Sequence, residues 1–256
     1  MPELPEVSLM VDKVRKKFEG CLLKRIRVVS GRYMNREIKG IDIFKKGVIS
    51  NIGNKGKFIY IVLHNGVTLW LTLGLSGLFT DHKDEYTRIK FTTDCGYFYL
   101  NDMRNFGTLS INSIKSLEKK LKRLGPDPLH EIITYKDFRA RYLKQKQDQR
   151  IGDLLLKQEF IAGIGNYLRA EILYKARVSP HCKLNMIPES YLKKIHKLIL
   201  SVIKDSYKYQ AKYGLHTNKF SVYRQRFDPH NRPVIGEPFK NKRTMWWVPL
   251  DVTLKC

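Results

Sequence analysis

Acidic residues are scarce in this chain. Against 48 Lys+Arg stand 24 Asp+Glu, so its 256 residues carry a formal net charge of +24 and a pI near 9.9. The basic residues fall along the whole length, which excludes a single basic tail as the source of the charge. A polyanion partner follows, because neutralising phosphates releases counterions. Charge by itself does not choose among DNA, RNA and an anionic membrane surface. Cysteine is also thin: Cys21, Cys95, Cys182 and Cys256 stand apart with no C-x-x-C pair, which excludes a zinc knuckle and gives no sign of a disulfide framework. No run of about 18 apolar residues and no secretory signal occurs, so an intracellular, soluble protein without a membrane partner is expected. Repeats and low-complexity segments are missing too. What is present is 43% hydrophobic residues, enough over this length for one or two cores.

The chain opens Met1-Pro2-Glu3-Leu4-Pro5-Glu6. A proline nitrogen inside a chain is an inert amide. If Met1 is removed, Pro2 becomes a terminal secondary amine, able to condense with an aldehyde to an iminium, with Glu3 and Glu6 at hand as acid and base. The same residues also read as a helix start, with Pro5 in the first turn and the glutamates complementing the dipole. Apolar residues Val7, Met10, Val11, Val14 and Phe18 then follow helical spacing up to Gly20.

Short strands are predicted over Leu22–Val29, Gly47–Ile52, Phe58–Leu63, Thr68–Leu73, Thr87–Thr92 and Tyr97–Leu100, a β-sandwich or barrel fed by that helix. Beyond Ile111 the texture turns helical. A charged helix over Ile114–Leu124 is broken by Gly125-Pro126-Asp127-Pro128, and further helices are predicted over Tyr135–Lys146, Asp153–Phe160, Asn166–Ala176 and Ser190–Tyr209. From about Phe220 to Leu254 strand character returns, with Trp246-Trp247 in the last run.

The second chemical cluster is Gly163-Ile164-Gly165-Asn166, a glycine turn opening a helix. Bare backbone amides at a helix N-terminus make an anion seat, to which Asn166 adds a side-chain donor. An ordinary tight turn with Asn166 as N-cap explains the same residues.

Taken together, Pro2-Glu3-Leu4-Pro5-Glu6 and Gly163-Ile164-Gly165-Asn166 resemble the formamidopyrimidine-DNA glycosylase/endonuclease VIII family of base-excision repair enzymes. The resemblance extends to Lys57 in Lys55-Gly56-Lys57-Phe58, to Asn101-Asp102-Met103-Arg104-Asn105-Phe106-Gly107, and to Leu124-Gly125-Pro126-Asp127-Pro128-Leu129. It implies an α+β fold: an N-terminal helix plus β-sandwich catalytic domain (1–124), a linker (125–133), a helix-two-turn-helix DNA-binding domain (134–216) and a zincless-finger β-hairpin (217–256).

The resemblance also implies roles. Pro2 attacks the sugar C1′, Glu3 protonates the opening deoxyribose, Lys57 holds a phosphate and assists base release, and Glu6 is a supporting carboxylate. Leu75, Arg104 and Phe106 fill the void left by the flipped nucleotide, an apolar wedge, a guanidinium and an aromatic plate. Asn105 stands where the family usually has arginine. Gly165 and Asn166 grip DNA phosphates. The four-cysteine zinc finger is missing and Cys256 cannot replace it, yet Val234–Val248 resembles the finger hairpin, as in endonuclease VIII-like enzymes of animals and giant viruses. Its Lys242-Arg243-Thr244 places Arg243 on DNA, with Phe239, Trp246 and Trp247 as the packing that replaces metal.

The implied activity is a bifunctional glycosylase/AP lyase that needs no cofactor and no metal, works as a monomer and has damaged DNA as its partner. Only Gln210–Lys219 separates Tyr209 from Phe220, whereas the 8-oxoguanine branch of that family carries a longer loop here, so the resemblance implies oxidised pyrimidines and ring-opened or hydantoin purines rather than 8-oxoguanine. An 8-oxoguanine-directed enzyme and a damaged-DNA-binding protein without catalysis are the alternatives.

Overall fold

In the computed structural model, which describes residues 2–239, 243–249 and 252–254, the chain divides into two units, Met1–Arg123 and Leu124–Cys256. Met1, Lys242 and Cys256, which figure in the expectations above, lie outside the described residues.

Helix α1 (Leu4–Phe18) opens the first unit. Glu3 is its N-cap, Pro5 lies in its first turn, and Arg15, Lys16 and Lys17 complement the dipole at its other end. Its apolar face, Val7, Met10, Val11, Val14 and Phe18, enters the core. Eight antiparallel strands follow: β1 (Leu22–Val28), β2 (Gly47–Lys55), β3 (Phe58–Leu63), β4 (Val67–Thr72), β5 (Gly77–Thr80), β6 (Thr87–Thr93), β7 (Gly96–Asp102) and β8 (Thr108–Ser113). They run in the order β5-β7-β6-β1-β2-β3-β4-β8. At the centre β1 and β2 share only the pairs Leu22↔Val48 and Leu23↔Gly47, so the sheet divides there into two halves. Ile89, Phe91, Phe98 and Leu100 of one half and Ile59, Ile61, Leu69 and Ile111 of the other meet in a single core, which is a sandwich with α1 in it. Helix α2 (Ile114–Arg123) ends the unit.

Two strands were not foreseen. Strand β5 is only four residues, and β8 reads Thr-Leu-Ser-Ile-Asn-Ser, with just Leu109 and Ile111 buried to mark its alternation. The cysteine expectation is corrected: Cys21 and Cys95 form a disulfide. They lie 74 residues apart, and the pairing Leu23↔Thr93 brings the start of β1 to the β6–β7 turn, where Asp94 accepts the Leu22 amide. Register, not sequence spacing, makes the pair.

The second unit holds α3 (Tyr135–Leu143), α4 (Ile151–Leu154), α5 (Asn166–Ala176), α6 (Glu189–Tyr213) and a hairpin of β9 (Ile235–Phe239) and β10 (Arg243–Trp247). Leu192, Ile195, Ile199, Val202 and Ile203 form the buried face of α6. The helix predicted over Asp153–Phe160 is one turn, α4, followed by turns. Gln158 explains the change: its side chain donates to Leu156 O and Ile164 O and accepts from Gly163 N, tying the loop where a helix would have continued.

Among the described residues after Phe220, apart from isolated bridges at Phe227↔Pro233 and Val178↔Leu254, the only named strands are those of the hairpin. Ahead of it, buried Asp228 accepts the His230 and Arg232 amides, the Arg232 guanidinium and the Tyr174 hydroxyl. Burial alone pushes that carboxyl up, but the Arg232 guanidinium and the amides outweigh it and hold it down at about 2. Among the described residues no helix is long and apolar enough to cross a membrane.

Candidate active site

Pro2 is buried immediately ahead of α1, and the Glu3 and Glu6 carboxyl-bearing side chains are 1% and 2% exposed. The two glutamates form a reciprocal capping box, with the Glu3 amide donating to Glu6 Oε2 at 2.8 Å. The helix-start reading is therefore expressed in the hydrogen bonds, and it does not compete with chemistry. It fixes two carboxylates within one turn of the Pro2 nitrogen.

One turn further on, Ser8 connects this helix to a strand turn. Asn54 Nδ2 donates to Ser8 Oγ at 3.1 Å and to Gly56 O at 3.0 Å. Lys57 is half-buried on the two-residue turn Gly56–Lys57 between β2 and β3, closed by Gly56 at φ +59°. Asn54 thus pins the Lys57 turn to the helix that carries Pro2, Glu3 and Glu6. Neither Ser8 nor Asn54 was singled out in the sequence, and no local pattern announces them.

Leu75, Arg104 and Phe106 sit on two loops, one between β4 and β5 and one between β7 and β8. The loops touch: a Cβ on Gly74 would lie 2.8 Å from the Phe106 carbonyl carbon and 2.9 Å from Gly107 N, so only glycine fits there. Asp102, 1% exposed, ties them together. Its Oδ1 accepts from Ser76 Oγ at 2.5 Å and its Oδ2 from Gly107 N at 2.6 Å, while Ser76 Oγ accepts from Arg104 N at 2.9 Å. With the loops so held, Phe106 remains 55% and Met103 56% exposed, large apolar side chains presented to solvent on a rigid base. Asn105, the departure from arginine, has φ 57°, a conformation asparagine tolerates, and its Oδ1 accepts the Arg32 amide.

Asp102 and Ser76 were missed as site residues, although Asp102 lies inside the Asn101–Gly107 motif and Ser76 directly follows Leu75. Replacing Asp102 by Asn turns one acceptor into a donor facing Ser76 or Gly107. Asp102→Asn is expected to cost about 1–3 kcal/mol of stability, the usual penalty for a buried polar group left unpaired. Equilibrium denaturation checks it; an unchanged midpoint would remove Asp102 as the tie between the loops.

In the second unit the N-cap of α5 is Gly165, not Asn166, which occupies the first helical position. Asn166 Nδ2 donates to Thr244 O at 2.7 Å and its Oδ1 accepts from the Arg169 guanidinium at 2.6 Å. The fully buried Arg169 also donates to Gly152 O at 3.0 Å. Asn166 therefore joins the glycine turn to β10, the strand that begins with exposed Arg243. Phe239 (5% exposed) and Met245 (0%) bury the hairpin, with the Arg150 guanidinium 3.9 Å from the Phe239 ring centroid. Trp247 is half-buried against His181, whose Nε2 lies 2.5 Å from Glu237 Oε1 on β9. Phe239 is a packing residue as expected; Met245 takes the place given to Trp246, which is half-buried.

Among the described residues the one His/Cys/Asp/Glu group at metal-ligand spacing is Cys21, Asp94 and Cys95. Its two cysteines are bonded to each other, so they offer no thiolate.

Two domain profiles match the chain. The formamidopyrimidine-DNA glycosylase N-terminal domain covers residues 1–109, and the formamidopyrimidine-DNA glycosylase H2TH domain covers residues 124–216. A formamidopyrimidine-DNA glycosylase of Prochlorococcus marinus is 31% identical over 240 residues, covering 80% of each chain. That of Pelotomaculum thermopropionicum is 29% identical over 217 residues, covering 80% of this chain and 77% of its own. Among solved structures, the Lactococcus lactis enzyme bound non-covalently to DNA containing an AP site superposes with a TM-score of 0.83 at 20% identity, over 98% of this chain and 99% of that one. A complex of MutM with DNA containing carbocyclic 8-oxo-G gives 0.85 at 22% identity, over 98% and 100%.

The helix-fed sandwich and the helix-two-turn-helix unit with its hairpin are the architecture of a base-excision DNA glycosylase. The chain belongs to the formamidopyrimidine-DNA glycosylase family.

Proposed function

We propose that this glycosylase is bifunctional, releasing the damaged base and then cutting the strand as an AP lyase, with the Pro2 amine as nucleophile. The supporting observation is the first turn of α1, where Glu3 and Glu6 are buried beside Pro2 and Asn54 holds the Lys57 turn against the same helix. Once Met1 is removed, the nitrogen lone pair attacks C1′ and the bond from C1′ to the base breaks, its electrons leaving with the base. Glu3 gives a proton to the ring oxygen, the sugar opens, and C1′ and Pro2 share an iminium. The iminium acidifies the C2′ proton. Its removal expels the 3′ phosphate, and a second elimination expels the 5′ phosphate, leaving a one-nucleotide gap with phosphates on both sides. The amine itself is the electron sink, so this sequence of steps draws on no cofactor.

Binding is divided between the units. Leu75, Arg104 and Phe106 suit the space vacated by an extruded nucleotide, and their loops are held rigid by Asp102. Gly165, Asn166 and Arg243 are assigned to phosphates on the other unit. The hairpin is read as a zincless finger, since Asn166, Arg169, Phe239 and Met245 hold it through hydrogen bonds and packing.

Substrate choice is assigned to oxidised pyrimidines with ring-opened and hydantoin purines. Helix α6 runs to Tyr213, so the segment before Phe220 is only residues 214–219, shorter than the sequence suggested. Relatives with solved complexes hold DNA containing an AP site, carbocyclic 8-oxo-G and an oxidised pyrimidine, so both lesion classes are open to the family. Single-turnover assays on a dihydrouracil duplex and an 8-oxoguanine·cytosine duplex separate them. Faster cleavage of dihydrouracil, with 3′-phosphate ends on a denaturing gel, is the expected result. The reverse preference would assign the chain to the 8-oxoguanine branch, and base release without strand cutting would remove the lyase step.

A further inference from the structure

Away from the residues described so far, the solvent face of the sandwich carries an unusual set of side chains. In β1, β6 and β7 the register places Arg27 opposite Lys90 and Lys90 opposite Tyr99, and the next row runs Arg25, Thr92, Tyr97. Directly paired residues share a face. The neighbours that alternate with them, Ile89, Phe91, Phe98 and Leu100, are in the core, so these two rows lie on the other face of the strands, where Tyr99 is buried at 6% exposure and Tyr97 is open. Arg25 and Arg27 are exposed, and Tyr97 is 47% exposed. Lys90 Nζ lies 4.4 Å from the Tyr97 ring centroid and 5.7 Å from that of Tyr99, and the two rings sit 5.4 Å apart at 62°. The sole carboxylate in the three strands is Asp102, which is buried and committed to Ser76 and Gly107.

Tyr97 is thus half in water, braced by Lys90 and flanked on the same face by Arg25 and Arg27, with no acid in the rows. The cations ask for phosphate. An exposed ring offers a π-face, which only an unstacked base can meet, because a duplex turns its base faces inward. We infer that the outward face of β1, β6 and β7 is a second nucleic-acid contact that binds single-stranded DNA, with a base stacked on Tyr97 and phosphates paired with Arg25, Arg27 and Lys90. This contact is separate from the proposed catalytic groups: none of its residues touches the Pro2 turn, the Lys57 turn or the Asp102-held loops in the contacts described above. It gives the enzyme a hold on strand that has already lost its complement.

The test is fluorescence anisotropy of the full-length protein with a labelled, lesion-free oligothymidylate, repeated in a salt series. Tyr97→Ser is expected to weaken binding about 5- to 150-fold, the equivalent of ~1–3 kcal/mol for one lost stack, while Tyr97→Phe keeps the wild-type affinity. Replacing Arg25, Arg27 and Lys90 together by Gln is expected to flatten the dependence of log K on log salt by about 2, from ~0.7 for each single-strand phosphate neutralised. Thermal melts of all three variants control for folding, and cleavage of a lesion duplex at low salt reports independently on the proposed chemistry. Oligothymidylate affinity and salt slope unchanged in both the Tyr97→Ser and the triple variant would overturn the inference. So would full displacement of the oligothymidylate by an abasic-site duplex, since that would place the single strand at the residues proposed to bind the lesion.

Discussion

A version of the protein carrying one extra residue ahead of Pro2 is expected to lose borohydride trapping on a dihydrouracil duplex completely. The added peptide bond draws the proline lone pair into amide resonance, and an amide nitrogen does not attack C1′. Removing the essential nucleophile of subtilisin costs on the order of 10⁶ in rate, so a fall to background is the expected size. DNA affinity should persist, because the groups proposed to fill the void and hold phosphates are elsewhere in the chain. The mature protein, with Met1 gone, should yield a covalent adduct at the mass of protein plus the processed strand. An adduct from both forms would shift the role to a lysine, with Lys57 first, since Asn54 ties its turn to the same helix. No adduct from either, with Met1 removal confirmed by intact mass and an abasic-site duplex as control, would favour a damaged-DNA-binding protein. The free amine must also be uncharged to react, and α-amino groups titrate at about 7.7–8.0 in model peptides. Trapping should therefore rise with pH through the Pro2 value and then level.

Much of this was legible in the sequence because it is local. The spacing of Val7, Met10, Val11, Val14 and Phe18 specified α1, and strand β3 was bounded correctly by its own residues at Phe58–Leu63. The candidate nucleophile and acid could be read for the same reason: Pro2, Glu3 and Glu6 are neighbours in the chain. What sequence did not disclose depends on register and tertiary contact. Cys21 and Cys95 meet only because β1 pairs with β6. Asp102 looks like one more polar residue at a strand end until Ser76 and Gly107 are seen on its two oxygens. Asn166 read as a cap or a phosphate donor, whereas its amide also serves as the joint between α5 and β10 through Thr244. Phe239 was read from the sequence as a hairpin packing residue, but Met245, buried as well, has no local signal, since the adjacent tryptophans dominate any reading by size. The outward pair of rows on β1, β6 and β7 has the same origin. Its cations and rings are far apart in sequence and share a face only through the ladder.

Glu3→Gln is expected to lower single-turnover base release about 10²- to 10⁴-fold, the range that a positioned general acid supplies. The substitution is nearly isosteric and keeps an acceptor oxygen, so it can still serve at the start of α1. The Glu3 backbone N–H that donates to Glu6 Oε2 is untouched by it. Folding and DNA affinity should stay near wild type, which separates loss of a proton donor from loss of the helix cap. Glu6→Gln provides the contrast. Glu6 accepts the Glu3 amide, and a glutamine oxygen can accept it equally, so a purely capping Glu6 predicts a change of only a few fold. A loss at Glu6 as large as that at Glu3 would mean the two carboxylates share the proton work, and an unchanged rate at Glu3→Gln would take Glu3 out of the mechanism. The pH profile tells the remaining cases apart. If Glu3 is the acid, Glu3→Gln should lower the rate while leaving in place the rise with pH set by the Pro2 amine, because the amine must still lose a proton.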